Sequence, residues 1–130
     1  MNSKKIVLVI LIPILVFVFW FLHHDFGENL STYTSPDGQY KIEVNSIDGF
    51  FVTYGVKIYV ENLTTENRSK ELLLEYPIAQ DLRTIVKHDI SFTWDGEEGN
   101  LTVNGESETA NIIIGLNKKT NKFYYKLNKP

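Results

Sequence analysis

The chain has 130 residues and contains no cysteine. This absence excludes disulfide bonds, thiolate nucleophiles, Cys-x-x-Cys redox motifs and cysteine-based zinc sites. It also excludes the lipid-modified cysteine that a bacterial lipoprotein carries after its apolar leader. Residues 25–130 are nevertheless long enough to bury a hydrophobic core without covalent cross-links.

Acidic residues outnumber basic residues in the chain. Lys4 and Lys5 are the sole charged residues before Asp25, and residues 25–130 carry 11 Lys and Arg against 16 Asp and Glu, a net charge of −5. This acidic balance argues against nucleic acid as a partner. The length is that of one domain, which excludes a multidomain enzyme.

One long apolar run is present, at the amino terminus. Ile6–Leu22 is uncharged over 17 residues and contains a single proline, Pro13. As a helix it would span about 26 Å, close to the ~30 Å hydrocarbon core of a bilayer. Trp20 lies where interfacial aromatic residues are common. We therefore expect residues 1–24 to form a signal anchor with one transmembrane helix.

Lys4 and Lys5 predict the orientation of this anchor, because basic residues favour the cytoplasmic side. The carboxyl-terminal domain would then be extracytoplasmic at the cell membrane. A cleaved signal peptide is the main alternative, although no Ala-x-Ala-like triplet follows Leu22. A buried helix of a soluble protein is a second alternative.

The rest of the chain alternates strand patterns with turn signals. Ser35-Pro36-Asp37-Gly38, Asp95-Gly96 and Asn104-Gly105 are typical turn sequences. About seven short strands indicate an all-β fold, either a small antiparallel β-sandwich or a strongly bent sheet or barrel, preceded by the transmembrane helix. The predicted inward faces are Tyr40, Ile42 and Val44; Tyr54, Val56, Ile58 and Val60; Leu72, Leu74 and Tyr76; Ile90, Phe92 and Trp94; and Leu101 with Val103.

We expect three regions along the chain. Residues 1–24 form the anchor, residues 25–34 a juxtamembrane linker, and residues 35–130 the extracytoplasmic β-domain. Residues 112–114 and 123–127 supply the last two strands. The segment 78–86 fits either a single helical turn or an irregular crossover.

The sequence shows no convincing catalytic or metal-binding constellation. His88 and Asp89 are neighbours that would face opposite ways on a strand, so they cannot form a relay there. His23 and His24 likewise point to different sides of a helix. The acidic loop Asp95–Asn100 could hold a hard cation, but its spacing misses the EF-hand pattern and a solvated hairpin is the simpler interpretation. We predict no catalytic residue, cofactor or metal.

Surplus aromatic and basic residues indicate a contact surface instead. Two adjacent aromatic residues on a strand cannot both face the core, so one member of each such pair is available to a partner. Lysines near the carboxyl terminus could meet anionic lipid headgroups or wall polymers, or could guard an edge strand. The predicted contact residues are Phe50, Phe51, Tyr124, Lys118, Lys119 and Lys122.

Three segments together resemble a known family. Ser35–Val44 opens with Ser-Pro-Asp-Gly-Gln-Tyr, Phe92–Gly96 holds a tryptophan strand, and Leu101–Gly105 ends in Asn-Gly. This combination resembles a family of short membrane-anchored proteins of Gram-positive bacteria whose extracytoplasmic β-domain has no assigned function. The resemblance implies an anchored envelope protein and transfers no catalytic residue.

Three functional hypotheses follow from these features. The first is a non-catalytic interaction or accessory protein of the cell envelope, with an immunity-type protein as one version, whose partner is another envelope protein. The second is a ligand-binding or sensory module for lipid or wall fragments. The third is a hydrolase built around His88 or the acidic loop.

Overall fold

The computed structural model describes residues 2–49, 54–78 and 84–128. Within these ranges it contains one helix, eight strands and a short 3-10 turn at Lys87–Asp89. The elements are α1 (Ser3–His23), β1 (Asn29–Thr34), β2 (Tyr40–Ile47), β3 (Gly55–Asn62), β4 (Glu71–Pro77), β5 (Ile90–Asp95), β6 (Glu98–Asn104), β7 (Thr109–Asn117) and β8 (Lys122–Leu127).

Helix α1 confirms the predicted apolar helix. It begins after Asn2, whose side chain accepts a hydrogen bond from the backbone N–H of Lys4, and it continues through Pro13 to His23. None of its residues is buried by the rest of the chain. The helix is long and apolar enough to cross a membrane.

The strands form two antiparallel sheets of four, in the orders β1-β2-β3-β4 and β5-β6-β7-β8. Every neighbouring pair is also consecutive in sequence, so each sheet is a simple meander. The all-β prediction is confirmed, with eight strands where the sequence indicated about seven. The two sheets pack face to face around a shared core.

The core consists mainly of β-branched residues that alternate along the central strands. Ile42, Val44 and Ile58 of the first sheet are fully buried, as are Val103 and Ile114 of the second. Aromatic rings connect the sheets: Tyr33 stacks on Phe92, and Tyr40 packs edge-on against Trp94 and Phe123. The predicted inward faces of β2, β3, β5 and β6 are confirmed by this packing.

The structure corrects the predicted linker 25–34, because residues 29–34 form strand β1. Leu30 and Tyr33 are three residues apart, so the segment lacks the period of two that would mark a strand in the sequence. An irregularity in the pairing between Asn29 and Ser31 accounts for the spacing. It allows Leu30 and Tyr33 both to contact the core.

A second irregularity changes the predicted face of β4. The register shifts where Ile58 pairs with Leu74 and Tyr59 pairs with Leu72, which leaves Leu73 as an extra residue. Leu73 and Leu74 therefore both pack against the core, whereas Leu72 is 49% exposed. The prediction that Leu72 shares a face with Leu74 and Tyr76 is wrong for this reason.

The turns collect at two opposite ends of the sandwich. The near end, where α1 joins, contains Asp48, Gly49 and the β6–β7 connection 105–108. The far end contains the β1–β2 turn 35–39, the β3–β4 loop 63–70, the β5–β6 turn 96–97 and the β7–β8 turn 118–121. Strand β2 has eight residues, so the two ends lie about 26 Å apart.

Two of the three predicted turns form as expected. Gly38 and Gly96 adopt φ values of 74° and 62°, the left-handed region that glycine tolerates. The third, Asn104-Gly105, opens a longer connection of four residues. In it the Gly105 N–H donates to the Glu108 carbonyl at 2.7 Å.

Candidate functional site

Asp25 joins α1 directly to the sandwich. Its Oδ1 accepts hydrogen bonds from the backbone N–H groups of Gly27 and Asp48, each at 2.8 Å. Its Oδ2 lies 2.8 Å from Nζ of Lys57 on β3. We call this set, Asp25 with Gly27, Asp48 and Lys57, the Asp25 junction. A single residue, His24, separates it from the last residue of the helix.

The contacts of Asp25 lower the pKa of its carboxyl group. Burial raises the pKa of a carboxyl group, but the Asp48 N–H, the Lys57 ammonium and the Gly27 N–H all favour the ionised form. The net pKa lies below the ordinary value of 3.8. The hydrogen bond between the Asp25 carboxylate and the Lys57 ammonium also raises the pKa of Lys57.

Close backbone approach also holds the junction. The Phe26 N–H donates to the Asp48 carbonyl, and the Ser46 N–H donates to the Glu28 carbonyl at 2.9 Å. A Cβ on Gly27 would lie 1.8 Å from the Ser46 carbonyl oxygen, so this position requires glycine. The chain thus contacts the sandwich from Asp25 onward, two residues after the end of the helix.

An aromatic cluster surrounds the exit from the helix. Phe26 contacts Trp20, Phe21 and His24 at ring-centroid distances of 6.4, 5.5 and 4.7 Å. Phe26 remains 45% exposed. Such a cluster at the end of an apolar helix is typical of the membrane–water interface.

At the far end, Lys118 bridges two turns of opposite sheets. Its Nζ lies 2.7 Å from Glu97 Oε1 and 3.4 Å from Asp37 Oδ2. Hydrogen bonding to Glu97 raises the pKa of Lys118, and hydrogen bonding from Ser35 lowers that of Asp37. The buried Tyr40 hydroxyl donates to the Glu97 carbonyl, which holds the same two turns together.

Tyr124 also has partners within the protein. Its ring lies over Gly115, where a Cβ would come within 2.4 Å of the ring. Its hydroxyl donates to Glu98 Oε2 at 2.8 Å. Burial and this hydrogen bond raise the pKa of Tyr124.

A polar cleft of about 430 Å³ opens at the far end, between the β3–β4 loop and the β7–β8 turn. Asn62 Nδ2 donates to Asn121 Oδ1 at 2.8 Å and so connects the two sheets across it. Asn62 Oδ1 in turn accepts from the N–H and hydroxyl of Thr64. The far cleft is lined by Asn62, Thr65, Asn67, Ser69, Glu71, Asn121, Lys122 and Phe123.

A second cleft of about 410 Å³ lies toward the near end, between β4 and β8. Tyr76 and Leu127 form much of its wall, and the Tyr76 hydroxyl donates to Glu108 across it at 3.3 Å. Burial raises the pKa of Tyr76. This near cleft is the more apolar of the two.

Four of the six predicted contact residues are described, and two of these four already have partners within the protein. Phe50 and Phe51 lie outside the described residues. Lys118 and Tyr124 are held by carboxylates of the acidic β5–β6 hairpin. Lys119 is exposed in the β7–β8 turn, and Lys122 lines the far cleft. Their role as a contact surface stays a prediction.

The structure also shows the positions of His88, Asp89 and the acidic loop. His88 is exposed within the 3-10 turn, whereas Asp89 is buried and its Oδ2 accepts a hydrogen bond from the Val86 N–H at 2.9 Å. In the acidic loop, Glu97 and Glu98 face Lys118 and Tyr124. Among the described residues, no group of three or more His, Cys, Asp or Glu is arranged to hold a metal ion.

Neither the Asp25 junction nor the far cleft was identified from the sequence. The junction depends on a contact between Asp25 and Asp48, 23 positions apart, and the cleft on one between Asn62 and Asn121. No local pattern encodes such pairs. Two of the three Asn-x-Ser/Thr triplets of the chain, at Asn62 and Asn67, lie in the cleft region, but this pattern marks glycosylation acceptors and does not encode a binding cleft.

No protein-family model, curated protein or solved structure matches this chain. The resemblance to anchored Gram-positive envelope proteins therefore remains an expectation.

Proposed function

We propose that this protein is a non-catalytic interaction module of the cell envelope, anchored by α1 in the cytoplasmic membrane with its sandwich on the outer side. Lys4 and Lys5 favour this orientation. The far end would present the binding surface to an envelope partner. The Asp25 junction supports the proposal, because it attaches the anchor to one end of the sandwich. We infer that the opposite end faces away from the bilayer.

The distance between the two ends decides which partners the lysines can reach. Lys118 and Lys119 lie at the far end, about 26 Å along the strands from the near end, whereas electrostatic interactions fall off over about 8 Å at physiological salt. If the strands point away from the bilayer, as proposed, the headgroups of the anchoring membrane are out of range of these lysines. This separation favours an envelope component beyond the membrane over the lipid version of the hypothesis.

The ion pairs of Lys118 further restrict which ligands the far end can bind. Lys118 is shared between Glu97 and Asp37, so binding an anionic polymer there would require breaking two existing contacts. Lys119 and Lys122 remain exposed. A partner that uses hydrogen bonds and shape fits this end better than one held by charge.

Site-specific photo-crosslinking in intact cells tests this proposal. A photoreactive residue replaces Lys119 at the far end, with Asn104 at the near end as the matched exposed control. We expect one recurrent envelope adduct from position 119 and none from position 104. Protease added to spheroplasts should also remove the sandwich.

A sandwich protected from external protease would overturn the proposed topology. Equal crosslinking from both positions, or no adduct from position 119 in the native host, would contradict the far end as the binding surface.

A further inference from the structure

We propose that the far cleft binds a neutral sugar chain. This inference rests on the proposed function and specifies the chemical class of the ligand. It depends on three properties of the cleft, namely its unpaired polar side chains, its charge balance and its single aromatic ring.

The walls of the far cleft carry polar groups that the protein does not use. Among the residues that the structure describes, the side chains of Asn67, Ser69, Glu71 and Lys122 make no hydrogen bond or ion pair. Two lysines on the neighbouring surfaces differ, since Lys118 and Lys70 each contact a carboxylate. The unused groups face the same space and are available to a ligand.

Other residues of the lining are hydrogen-bonded within the protein. The Asn62–Asn121 hydrogen bond joins the two sheets, and Thr65 Oγ1 donates to the Asn62 carbonyl at 3.3 Å. Asn121 adopts φ of 57°, the left-handed conformation that asparagine tolerates, in the turn that brings its amide over the cleft. These contacts orient the Asn62, Asn121 and Thr65 side chains, which lowers the entropy cost of ordering them when a ligand binds.

The lining matches the hydrogen-bonding character of sugar hydroxyls. Amides and hydroxyls both donate and accept, as does each hydroxyl of a sugar ring. One carboxylate, Glu71, and one ammonium, Lys122, leave the lining without net charge, which favours a neutral ligand over a polyanion or a cation. A hard cation would need several oxygen ligands without a nearby ammonium.

Phe123 completes the lining with apolar surface. Its ring is half-buried, packs edge-on against Tyr40 and lies at the boundary of the cleft. Aromatic rings provide rigid surface at low entropy cost, which suits the C–H face of a sugar ring. The volume of about 430 Å³ falls within the roughly 300–1,000 Å³ of small-ligand sites.

The test uses the full chain in phosphatidylcholine nanodiscs, with tetra-N-acetylchitotetraose as the neutral probe and polyphosphate as the anionic one. We expect half-saturation by the tetrasaccharide at about 1 mM or below, and no preference for polyphosphate. Because the cleft has no net charge, binding should be the same in low and high salt. Insoluble glycan stripped of anionic polymers should sediment the nanodiscs if the natural ligand is wall material, and only the soluble probe should bind if it is a free oligosaccharide.

A double variant tests whether the ligand binds in the far cleft or elsewhere on the surface. Asn67→Ala with Ser69→Ala should weaken binding about tenfold, because it removes two unpaired hydrogen-bonding groups. Ser91→Ala with Thr93→Ala, exposed on β5, is the matched control and should bind like wild type. Circular dichroism checks that both variants fold.

Absence of tetrasaccharide binding at 10-fold the expected half-saturation, an undiminished double variant, or preferential polyphosphate binding would each overturn the sugar assignment. An adduct from position 119 that persists in that case would leave the proposed function intact and reject only the ligand class.

Discussion

Removing the carboxylate of Asp25 should loosen the junction between the anchor and the sandwich. In Asp25→Ala, the N–H groups of Gly27 and Asp48 and the Lys57 ammonium all lose their acceptor. Hydrogen bonds to a charged group contribute about 1.5–3 kcal/mol each when buried. The Asp25 side chain is 20% exposed, so water compensates part of the loss. We therefore expect the free energy of unfolding to fall by about 2 kcal/mol in total.

Asp25→Asn isolates the ionic part of this contribution. The amide oxygen can still accept from the two backbone N–H groups, but the ion pair with Lys57 is lost. Lys57 keeps Glu75, whose Oε1 lies 3.5 Å away. We expect a smaller loss, about 1 kcal/mol. A double-mutant cycle with Lys57→Met would measure the coupling directly.

The stability that Asp25 contributes should decrease at low pH. The pKa of Asp25 is below 3.8 in the folded protein, so the folded state binds fewer protons than the unfolded state between the two pKa values. The contribution of Asp25 to stability is complete above about pH 4. It is lost as the pH falls through the folded pKa. The difference between wild type and Asp25→Ala should thus be full at neutral pH and shrink below pH 4.

Urea unfolding of the full chain in nanodiscs measures these changes. A Trp20→Phe background leaves Trp94 of the core as the single indole reporter. Asp95→Ala, an exposed carboxylate at the far end, is the charge-matched control and should unfold like the parent. Limited proteolysis should cut near residues 24–28 faster in Asp25→Ala. Unchanged unfolding and unchanged proteolysis in that variant would refute the reasoning.

Two further predictions concern the core. Ile58→Ala should cost about 2–5 kcal/mol because Ile58 is fully buried, whereas Leu72→Ala should cost less than about 0.5 kcal/mol because Leu72 is half exposed; equal midpoints of urea unfolding would contradict the β4 register. Gly99→Ala should cost about 1–3 kcal/mol, since its Cβ would lie 2.5 Å from the Phe92 ring and 3.1 Å from Ile42 Cδ1. Wild-type stability of Gly99→Ala by the same assay would show that the sheets are less closely packed there.

The central strands could be predicted from the sequence because their signal is local. Ile42, Val44, Ile58 and Val60 alternate with polar residues, and each side of a strand in a two-layer fold meets either core or water. Alternation therefore indicated both the strands and the buried face. The tight turns at Gly38 and Gly96 were predicted for a similarly local reason, since they need positive φ.

The edge strands were harder to predict because their irregularities arise from pairing. The extra residue at Leu73 in β4 and the one near Leu30 in β1 change which side chains face inward. A bulge is a property of two strands in register, and one strand's sequence shows only a broken period. For this reason β1 was expected to be linker, and Leu72 was expected to face the core.

The partners of the candidate contact residues could not be predicted from the sequence either. Lys118 and Tyr124 were selected because their chemistry suits a partner, but the structure pairs them with Glu97 and Glu98 of a different hairpin. Lys122 lines the far cleft and has no such partner in the described part of the chain. Residue type alone cannot distinguish these cases, because intramolecular and intermolecular contacts use the same groups.

The sequence by itself determined that the chain has an apolar amino-terminal helix, an acidic all-β domain and no cysteine chemistry. These properties depend on composition and on periodicity within a few residues. Only the tertiary structure decided how the helix joins the sandwich, which lysines are already paired, and that the β3–β4 loop and β7–β8 turn enclose a polar cleft. Each of those features is a contact between residues more than twenty positions apart, and such contacts exist only once the strands have paired and the two sheets have packed.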